Sequence, residues 1–425
     1  MTVSKSNLPP RAIVAATSGN LLEWYDFTVY GFLAPILGRL FFPSEDHVAS
    51  LLSAFAVLAV GYAARPIGSV IFGHIGDRLG RKPALLSSVA IMGIGSLLIA
   101  VLPTYSSIGV SAAFLLIAIR ILQGISVAGE YTSSGILMVE ETEQKSRGFV
   151  GSWVAFAMLM GCVAGSGVPA LLDTFLTQAQ MEAWGWRIPF FIGSVVALFS
   201  AILRVYLPES SEMVNRVKRE TYPIIAAIRK HWRLILQMIV LLIPTAVIYF
   251  VIFVYAASYL TTQMHFTSAQ ALNITTINLI VIAAVALIAG RASDHFGRRA
   301  VFLVGAIGTL VFAGPCWWLM HQETIQLVFL GQLGFSAFNA IGWALSITVL
   351  CEMAPPSLRC SVVALGYNSC MAIFGGTTPF VATYLVNRTG NDFAPVYYVL
   401  LATIASLFVI MRLPALKHPS WSRDA

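Results

Sequence analysis

Ionisable residues inside long apolar stretches are the side chains of this sequence that could do chemistry. The first stretch carries Glu23 and Asp26, three residues apart and so on one face of a helix. If that helix enters hydrocarbon near Ala12, Glu23 lies about 16 Å deep, close to the middle of a bilayer. Repulsion between two carboxylates at this spacing favours uptake of a proton by one of them. We expect at least one to carry a proton; a fixed ion pair with an arginine is the alternative for either.

A later stretch carries Arg120 and Glu130. Counted from Gly109, Arg120 also lies about 16 Å deep. The ten residues between them leave these side chains roughly 80° apart and about 15 Å along the axis, so they do not pair. Arg120 could contact a carboxylate of the first stretch and be released when that carboxylate is protonated. It could instead bind a carboxylate substrate through its planar guanidinium, or form a permanent buried ion pair.

The composition places these residues in a membrane protein. The 425 residues are 58% hydrophobic and only 11% charged, against roughly 25% charged residues in soluble proteins. A soluble domain could not bury so much apolar surface. The net charge of +7 would also suit nucleic acid, but no basic surface interleaved with aromatics stands outside the apolar stretches. We therefore expect a lipid bilayer and no nucleic acid as partner. Neither a metal or cofactor site nor the residues of an enzyme are expected.

The length of the apolar stretches predicts an all-α, polytopic membrane protein. A span needs roughly 20 residues. Twelve stretches meet that length: 14–40, 50–72, 84–102, 109–138, 148–172, 188–207, 233–260, 269–290, 300–320, 325–351, 361–386 and 394–413. The predicted fold is therefore twelve transmembrane helices in two pseudo-symmetric six-helix bundles.

The polar segments predict how the chain is divided and oriented. The longest one, 208–231, separates a first bundle (1–207) from a second (232–413), and a short tail (414–425) follows. With the N-terminus inside, the inner segments hold 21 of the 26 Lys and Arg residues, Arg204 among them. The outer segments hold Arg39, Arg187 and Arg388, while Arg65 and Arg120 lie within spans. This bias predicts that both termini and the central linker are cytoplasmic.

Two repeated patterns indicate that the halves are duplicated. Gly73-His-Ile-Gly-Asp-Arg-Leu-Gly-Arg-Lys82 is echoed 217 positions later by Gly290-Arg-Ala-Ser-Asp-His-Phe-Gly-Arg-Arg299. Glu140 with Arg147 is echoed 212 positions later by Glu352 with Arg359. Acids and bases that recur at matched corners of both halves indicate an internal repeat of the transporter type.

The repeated charges predict a cytoplasmic latch of the outward-open state. Asp77 can cap the start of the third span or contact an arginine across the bundle, with Glu140 and Arg147 as its natural neighbours. The second copy, where His295 replaces Arg78, is expected to be weaker. The predicted gating residues are Gly73, Asp77, Arg78, Gly80, Arg81, Glu140, Arg147, Asp294, Arg298, Glu352 and Arg359. A plain topology signal explains Arg81 and Lys82, but not the matched acids.

These features together resemble the major facilitator superfamily, in its metabolite:proton symporter branch. The resemblance rests on the duplicated loop and on Gly19-Asn-Leu-Leu-Glu-Trp-Tyr-Asp-Phe27, Arg65-Pro-Ile-Gly68, Arg120-Ile-Leu-Gln-Gly124, Gly129-Glu-Tyr131, Gly185-Trp-Arg-Ile-Pro-Phe190, Leu207-Pro-Glu-Ser210 and Ile373-Phe-Gly-Gly376. It implies alternating access, proton-coupled uptake in a bacterial inner membrane, and a coupling role for Arg120. Members of this branch carry proline and betaines, 2-oxoglutarate, citrate, tricarballylate or shikimate. The predicted proton-coupling residues are Glu23, Asp26, Arg120 and Glu130.

The second half differs from the first in charge. The 212-residue offset places Gln332 opposite Arg120 and Gly342 opposite Glu130. Asparagines and aromatic rings take the place of charged residues in the middle of its spans. Such rings can bind an ammonium group by cation–π attraction, whereas a tricarboxylate needs several cations. We therefore favour a zwitterion such as proline or betaine, or a monocarboxylate. The residues predicted to bind substrate are Tyr25, Tyr30, Arg65, Arg120, Gln123, Tyr131, Tyr249, Tyr255, Asn339, Trp343, Tyr367 and Asn368.

Three other functions stay open at this point. A di- or tricarboxylate symporter of the 2-oxoglutarate or citrate type is the nearest alternative. An uncoupled facilitator or a transporter-like ligand sensor would belong to a different class, although the 24-residue connection and the short tail leave little room for a signalling domain. We expect small metabolites and protons as ligands and the monomer as the functional unit.

Overall fold

The computed structural model describes residues 10–45, 47–206, 222–256, 259–260, 264 and 266–413. Most of the predicted linker 208–231 and the whole predicted tail 414–425 lie outside these residues. Within the described part the chain forms helices and no strand, as expected for an all-α fold.

Seven long helices make up the first half and seven the second, counted over the described residues. The first half contains α1 (Pro10–Phe41), α2 (His47–Ala63), α3 (Arg65–Arg78), α4 (Arg81–Val101), α5 (Val110–Glu140), α6 (Arg147–Phe175) and α7 (Arg187–Val205). The second contains α8 (Pro223–Tyr249), α9 (Ser268–Phe296), α10 (Arg298–Met320), α11 (Ile325–Met353), α12 (Arg359–Cys370), α13 (Thr378–Thr389) and α14 (Ala394–Ile410).

The fourteen helices correspond to the twelve predicted spans, because two spans are each made of two helices. Helices α2 and α3 meet at Ala64 and form one span, and α12 continues through the π-helical turn Met371–Gly375 towards α13. Ten stretches of the described residues are long and apolar enough to cross a membrane. Helix α14 is a shorter apolar helix, and α1, with 32 residues, carries Glu23 and Asp26. These twelve segments match the twelve predicted spans in order.

Glycine sets the turn between helices at the same place in each half. Gly80, between α3 and α4, has φ of 125°, and Gly297, between α9 and α10, has φ of 91°. L-residues with a side chain rarely adopt such angles, so glycine allows the chain to turn sharply here. The duplicated motif therefore encodes the same tight corner twice.

The two halves meet along matched helices. Helix α6 of the first half packs on α9 of the second, and α3 packs on α12. Gly148 and Gly290 allow close approach of α6 and α9, because a Cβ on Gly290 would lie 2.6 Å from the Gly148 carbonyl oxygen. Glu23 and Asp26 of α1 and Arg120 and Glu130 of α5 are buried.

Candidate functional site

Aromatic rings from both halves meet at the centre of the molecule. The ring centroids of Trp24 and Tyr249 are 5.6 Å apart, those of Trp24 and Trp343 are 6.1 Å apart, and those of Tyr249 and Trp343 are 5.9 Å apart, all edge to face. We call these three rings, with Tyr62 of α2, the central aromatic cluster. Helices α1, α2, α8 and α11 thus contribute rings to one site between the halves.

Arg65 and Glu23 lie beside this cluster. The Arg65 guanidinium carbon is 4.4 Å from the ring centroid of Tyr62 and 5.9 Å from that of Trp24. Arg65 Nη2 lies 3.5 Å from Glu23 Oε1, and both side chains are 1% exposed. This spacing allows electrostatic attraction but is long for a charge-assisted hydrogen bond.

The Glu23–Arg65 pair has unused hydrogen-bonding capacity. Both carboxylate oxygens of Glu23, and Nε and Nη1 of Arg65, have no hydrogen-bond partner among the described residues. The indole nitrogens of Trp24 and Trp343 and the Tyr367 hydroxyl are also without partners there. Since buried polar groups are normally hydrogen-bonded, so many free groups around one place are typical of a ligand site.

Asp26 has a different environment from Glu23. Its carboxylate accepts hydrogen bonds from Arg120 Nη1 at 2.8 Å and from Ser96 Oγ at 2.6 Å. Gln123 Nε2 donates to Ser96 Oγ at 3.2 Å, and the Arg120 guanidinium carbon lies 3.9 Å from the Tyr30 ring centroid. The first and fourth spans are therefore joined by a buried ion pair inside the first half.

Glu130 pairs with Arg204, an arginine assigned above to an inner segment. Arg204 instead lies in α7, is fully buried, and donates to both carboxylate oxygens of Glu130. It also donates to the carbonyl oxygens of Ala15, Ala16 and Leu85, while Ser88 donates to Glu130 at 2.7 Å. This network connects α1, α4, α5 and α7, so we call it the four-helix brace.

In the second half, an uncharged contact between Gln332 and Ile252 takes the place of the Asp26–Arg120 ion pair. Gln332, opposite Arg120, donates from Nε2 to the Ile252 carbonyl oxygen at 3.1 Å. Ile252 belongs to the π-helical turn Phe250–Tyr255 that follows α8. Asn278 donates to Gln332 Oε1 at 2.6 Å. The polar contacts at this position of the second half are therefore neutral.

Two stacked tyrosines join the halves near the central aromatic cluster. The rings of Tyr131 and Tyr367 have centroids 4.3 Å apart and planes 8° apart. The Tyr131 hydroxyl lies 2.9 Å from the Ser346 hydroxyl across the interface. Asn368, next to Tyr367, donates to the Ala128 carbonyl oxygen at 3.1 Å. These contacts hold α5 against α11 and α12.

The first copy of the duplicated loop binds the opposite half. Asp77 accepts hydrogen bonds from the backbone N–H groups of Cys360 at 3.0 Å and Ser361 at 2.8 Å, in the first turn of α12. Glu140 Oε1 lies 2.8 Å from both Arg81 Nη2 and Arg359 Nη1. We call this group the first latch. Acids at a helix N-terminus are stabilised by its unsatisfied N–H groups and its dipole.

The second copy makes the reciprocal contact. Asp294 accepts from the N–H groups of Gly148 and Phe149, both at 2.8 Å, in the first turn of α6. Arg298 lies 2.7 Å from Asp294 and 3.3 Å from Glu352. We call this group the second latch. Arg298 and Glu352 of the second latch are 15% and 25% exposed, whereas Arg81, Asp77 and Glu140 of the first are fully enclosed.

The comparisons with known proteins identify the family. The model of a family described as "Sugar (and other) transporter" matches residues 11–422. The chain belongs to this transporter family. It is 34% identical to the proline/betaine transporter of Escherichia coli (strain K12) over 411 residues, which cover 93% of this chain and 82% of the relative. It is 33% identical to a putative proline/betaine transporter of Staphylococcus aureus (strain COL) over 405 residues, which cover 94% and 87%.

A solved structure shows the same fold. The major facilitator superfamily proton:xylose symporter XylE, bound to 6-bromo-6-deoxy-D-glucose, matches with a TM-score of 0.79 at 19% identity over 95% of each chain. The predicted major facilitator fold is thereby confirmed. A member of this transporter family that carries twelve such segments is a multi-pass membrane transporter.

Several of the predicted substrate residues of this transporter lie at the centre, and others do not. Arg65, Tyr131, Tyr249, Trp343 and Tyr367 lie in or next to the central aromatic cluster. Tyr30, Arg120 and Gln123 surround Asp26 instead. The remaining four are placed elsewhere. Tyr25 donates to the Pro189 carbonyl oxygen, and Asn368 donates to the Ala128 carbonyl oxygen. Tyr255 stacks with Tyr259 and Trp317, and Asn339 lines a cavity inside the second half.

Trp24 and Tyr62 were missed as central residues. Trp24 directly follows Glu23, and Tyr62 precedes Arg65 by three residues, a spacing that brings residues to one side of a helix. Proximity to a buried charge was therefore the available signal. It could not single them out, because 12% of the chain is aromatic.

The predicted gating residues meet, with different partners from those expected. Asp77 caps α12 of the second half and not the third span, and it also lies 3.3 Å from Arg81 Nη1. Arg147 donates to the Thr142 carbonyl oxygen at 3.3 Å, and Arg359 contacts Glu140 in its place. Gly73 packs against the Ser361 backbone, and Arg78 is exposed. In the part of the chain described, no group of His, Cys, Asp or Glu is arranged to hold a metal ion.

Proposed function

We propose that this chain imports a small zwitterion of the proline or betaine type together with protons. The observation that carries the proposal is the Glu23–Arg65 pair, which is buried against aromatic rings and has free hydrogen-bonding groups on both members. The names of the relatives in Escherichia coli and Staphylococcus aureus support the same substrate class. The chain acts as a transporter and not as an enzyme.

The site suits a molecule with one carboxylate and one ammonium group. The free Nε and Nη1 of Arg65 can donate to a substrate carboxylate. The ammonium group then faces Glu23 and the rings of Trp24, Tyr249 and Trp343, where carboxylate attraction and cation–π attraction act together. A quaternary ammonium offers no N–H group, so the rings would carry more of its binding than they would for proline.

Proton coupling is assigned to the carboxylates of α1. Protonation of Asp26 would remove its charge and release Arg120, whose Nε and Nη2 have no hydrogen-bond partner among the described residues. Glu23 is the second carboxylate that can take the proton, since it accepts no hydrogen bond from the described residues. Glu130 fits a coupling role less well, because Arg204 of α7 and Ser88 of α4 both donate hydrogen bonds to it.

The latches suit alternating access between two rocking bundles. Both latches are closed in this structure. We assign the bundles to residues 1–207 and 232–413 and the connection between them to 208–231, of which the part from Pro223 onwards is the start of α8. The excess of Lys and Arg in the inner segments favours a cytoplasmic location for the latches and both termini. Opening then requires Asp77 and Asp294 to leave the N-termini of α12 and α6. We place the monomer, as the functional unit, in a bacterial inner membrane.

A di- or tricarboxylate is the second candidate and fits less well. Among the described residues, Arg65 is the cation with free donors beside the central aromatic cluster, whereas Arg120 is bound to Asp26 inside the first half. Two or three substrate carboxylates would meet one cation and the carboxylate of Glu23. An uncoupled facilitator or a ligand sensor would not need a buried ion pair such as Asp26–Arg120 for proton coupling.

A ligand screen on the purified protein tests the substrate class. Glycine betaine and proline should raise the melting temperature Tm in detergent, by more than 2-oxoglutarate, citrate or shikimate at equal concentration. Arg65→Ala and Glu23→Gln should each abolish the shift, whereas Asp173→Asn, at an exposed carboxylate of α6, should leave it unchanged. Stabilisation by citrate alone would overturn the zwitterion assignment.

A further inference from the structure

A cavity lies inside the second half, and none of the rings of the central aromatic cluster lines it. It is lined by residues of α8, α10, α11 and α14 and leaves about 30 Å³ for the centres of water molecules. Its wall includes the polar side chains of Thr245, Thr309, Asn339, Thr403 and Ser406. All of its lining residues are uncharged.

The internal repeat places this cavity opposite the four-helix brace. Gly305 is the eighth residue of α10 and Ser88 is the eighth of α4, with the 217-residue offset of the duplicated loop. Gly342 corresponds to Glu130 by the 212-residue offset. Pro189 and Pro395, near the starts of α7 and α14, give an offset of 206, which places Ile410 opposite Arg204.

The three residues that build the brace are thus replaced by two glycines and an isoleucine. Gly305, Gly342 and Ile410 all line the cavity. Serine, glutamate and arginine side chains fill the equivalent space in the first half. Removal of their volume and charge explains why a cavity is present in the second half.

A reciprocal exchange of glycine supports this correspondence. In the first half, a Cβ on Gly19 of α1 would overlap Glu130 Oε1 and Arg204 Nη2. In the second half, a Cβ on Gly342 of α11 would lie 2.5 Å from Thr245 Oγ1 of α8. The first half has glycine in its first span (Gly19) and a larger residue in its fourth (Glu130). The second half has a larger residue in its first span (Thr245) and glycine in its fourth (Gly342). The same helix contact is therefore packed in two ways.

Asn339 lines the cavity with a buried amide that has no hydrogen-bond partner among the described residues. It precedes Gly342 by three residues, lines the cavity and is 2% exposed. Neither its amide oxygen nor its amide nitrogen has a hydrogen-bond partner among the described residues. An unsatisfied buried amide is unfavourable, and water needs about 10–15 Å³ and polar partners to occupy a cavity. The available volume suits about two water molecules.

We propose that the cavity of the second half is a hydration site, in which about two water molecules bind the Asn339 amide where the first half has the Ser88–Glu130–Arg204 network. Water is favoured over an ion because no charged residue lines the cavity, and a bare ion buried inside a membrane-spanning bundle is strongly unfavourable. Hydroxyl groups of Thr309 and Ser406 offer the waters further contacts.

A density map of the full chain in lipid nanodiscs, at a resolution that shows ordered water, tests this directly. We expect peaks within hydrogen-bond distance of Asn339 Nδ2 and Oδ1, and their loss in a map of Asn339→Leu with the backbone unchanged. An empty cavity in the wild-type map would overturn the proposal.

Thermal stability provides an independent measurement. Asn339→Leu should lower Tm, because the waters lose their main partner, and Thr309→Val should lower it by less. Asn273→Leu, at an exposed amide of α9, is the control and should change Tm little. A higher Tm for Asn339→Leu would show that the cavity is dry. A sodium-dependent rise in wild-type Tm that Asn339→Leu abolishes would assign the site to a cation. Either result would contradict the proposal.

Discussion

Glu23 and Asp26 are three residues apart on α1 and have different partners. Asp26 accepts hydrogen bonds from Arg120 and Ser96 inside the first half, whereas Glu23 faces the central aromatic cluster and accepts none from the described residues. We infer a division of tasks along one helical face: Asp26 couples transport to the proton, and Glu23 contacts the substrate.

Asp26→Asn should uncouple transport from the proton gradient. Asparagine keeps the size of the side chain and can still accept from Ser96, but it cannot change its charge. We expect gradient-driven accumulation in proteoliposomes to fall to simple equilibration, while exchange of labelled for unlabelled substrate continues. Asp173→Asn should accumulate substrate like the wild type. Full accumulation by Asp26→Asn would show that another group carries the proton.

Trp24→Leu should weaken binding of glycine betaine more than binding of proline. A desolvated cation–π contact contributes about 2 kcal/mol, which corresponds to roughly thirtyfold in Kd. Proline can replace part of this loss through its N–H groups. Titration of both ligands by calorimetry measures the difference. Trp153→Leu, in a separate aromatic group on α6, should leave both affinities unchanged. Equal losses for the two ligands in Trp24→Leu would contradict a cation–π role of the central aromatic cluster.

The sequence identified buried charges well and their partners poorly. Glu23, Asp26, Arg65 and Arg120 stand out because a charge inside an apolar stretch is visible in the sequence. Arg204 was missed because it lies at the end of a span, next to a basic segment where an inner loop was expected. Partners such as Asp77 and Cys360 are 283 residues apart, and local patterns carry no information on such contacts.

At the scale of elements, the four-helix brace makes α1, α4, α5 and α7 dependent on one another. Gly19→Ala should disrupt it, because a Cβ at this position would overlap Glu130 and Arg204. Overpacking together with a broken buried ion pair should lower the free energy of unfolding by about 3 kcal/mol. Thermal unfolding monitored by fluorescence measures the effect as a lower Tm.

Gly31→Ala is the matched control for this variant. It lies on the same helix, and a Cβ there would meet nothing within 4 Å. Alanine is favoured over glycine in a helix by about 1 kcal/mol, so Tm should stay equal or rise slightly. Equal stability of Gly19→Ala and the wild type would mean that the brace tolerates displacement.

The first latch can be tested through the cysteine that it buries. Cys360 is 2% exposed, and its N–H group donates to Asp77. In a chain with the other four cysteines replaced, Asp77→Asn should increase the rate of Cys360 labelling by N-ethylmaleimide about tenfold, because a charged helix cap is lost. Substrate affinity should change little.

Glu143→Gln serves as the control for Asp77→Asn. Glu143 forms a surface ion pair with Lys145 at the same end of the molecule. Its loss should not change the labelling rate, because exposed ion pairs contribute little. A complete loss of substrate binding in Asp77→Asn would show that the loop does more than close one end of the transporter.

At the scale of the whole molecule, the two halves share a framework and differ in chemistry. In both copies of the duplicated loop, which the repeated motifs predicted, the aspartate accepts hydrogen bonds from the first turn of a helix in the other half. The charged pairs Glu23–Arg65 and Asp26–Arg120 and the brace lie in the first half, while the second half offers Gln332, Asn339 and aromatic rings. The number and order of the spans could be predicted from hydropathy. The contacts of Asp77 with α12 and of Asp294 with α6, each in the opposite half, could not.

The central claim is that a zwitterion is accumulated at the expense of a proton gradient. The most direct measurement is uptake of labelled glycine betaine into proteoliposomes with the membrane potential clamped at zero and the outside one pH unit more acidic. One proton per substrate should give about tenfold accumulation, since one pH unit is worth about 1.4 kcal/mol. Asp26→Asn should stop at equal concentrations on both sides. Wild-type uptake that also stops there, with or without the gradient, would contradict proton-coupled transport.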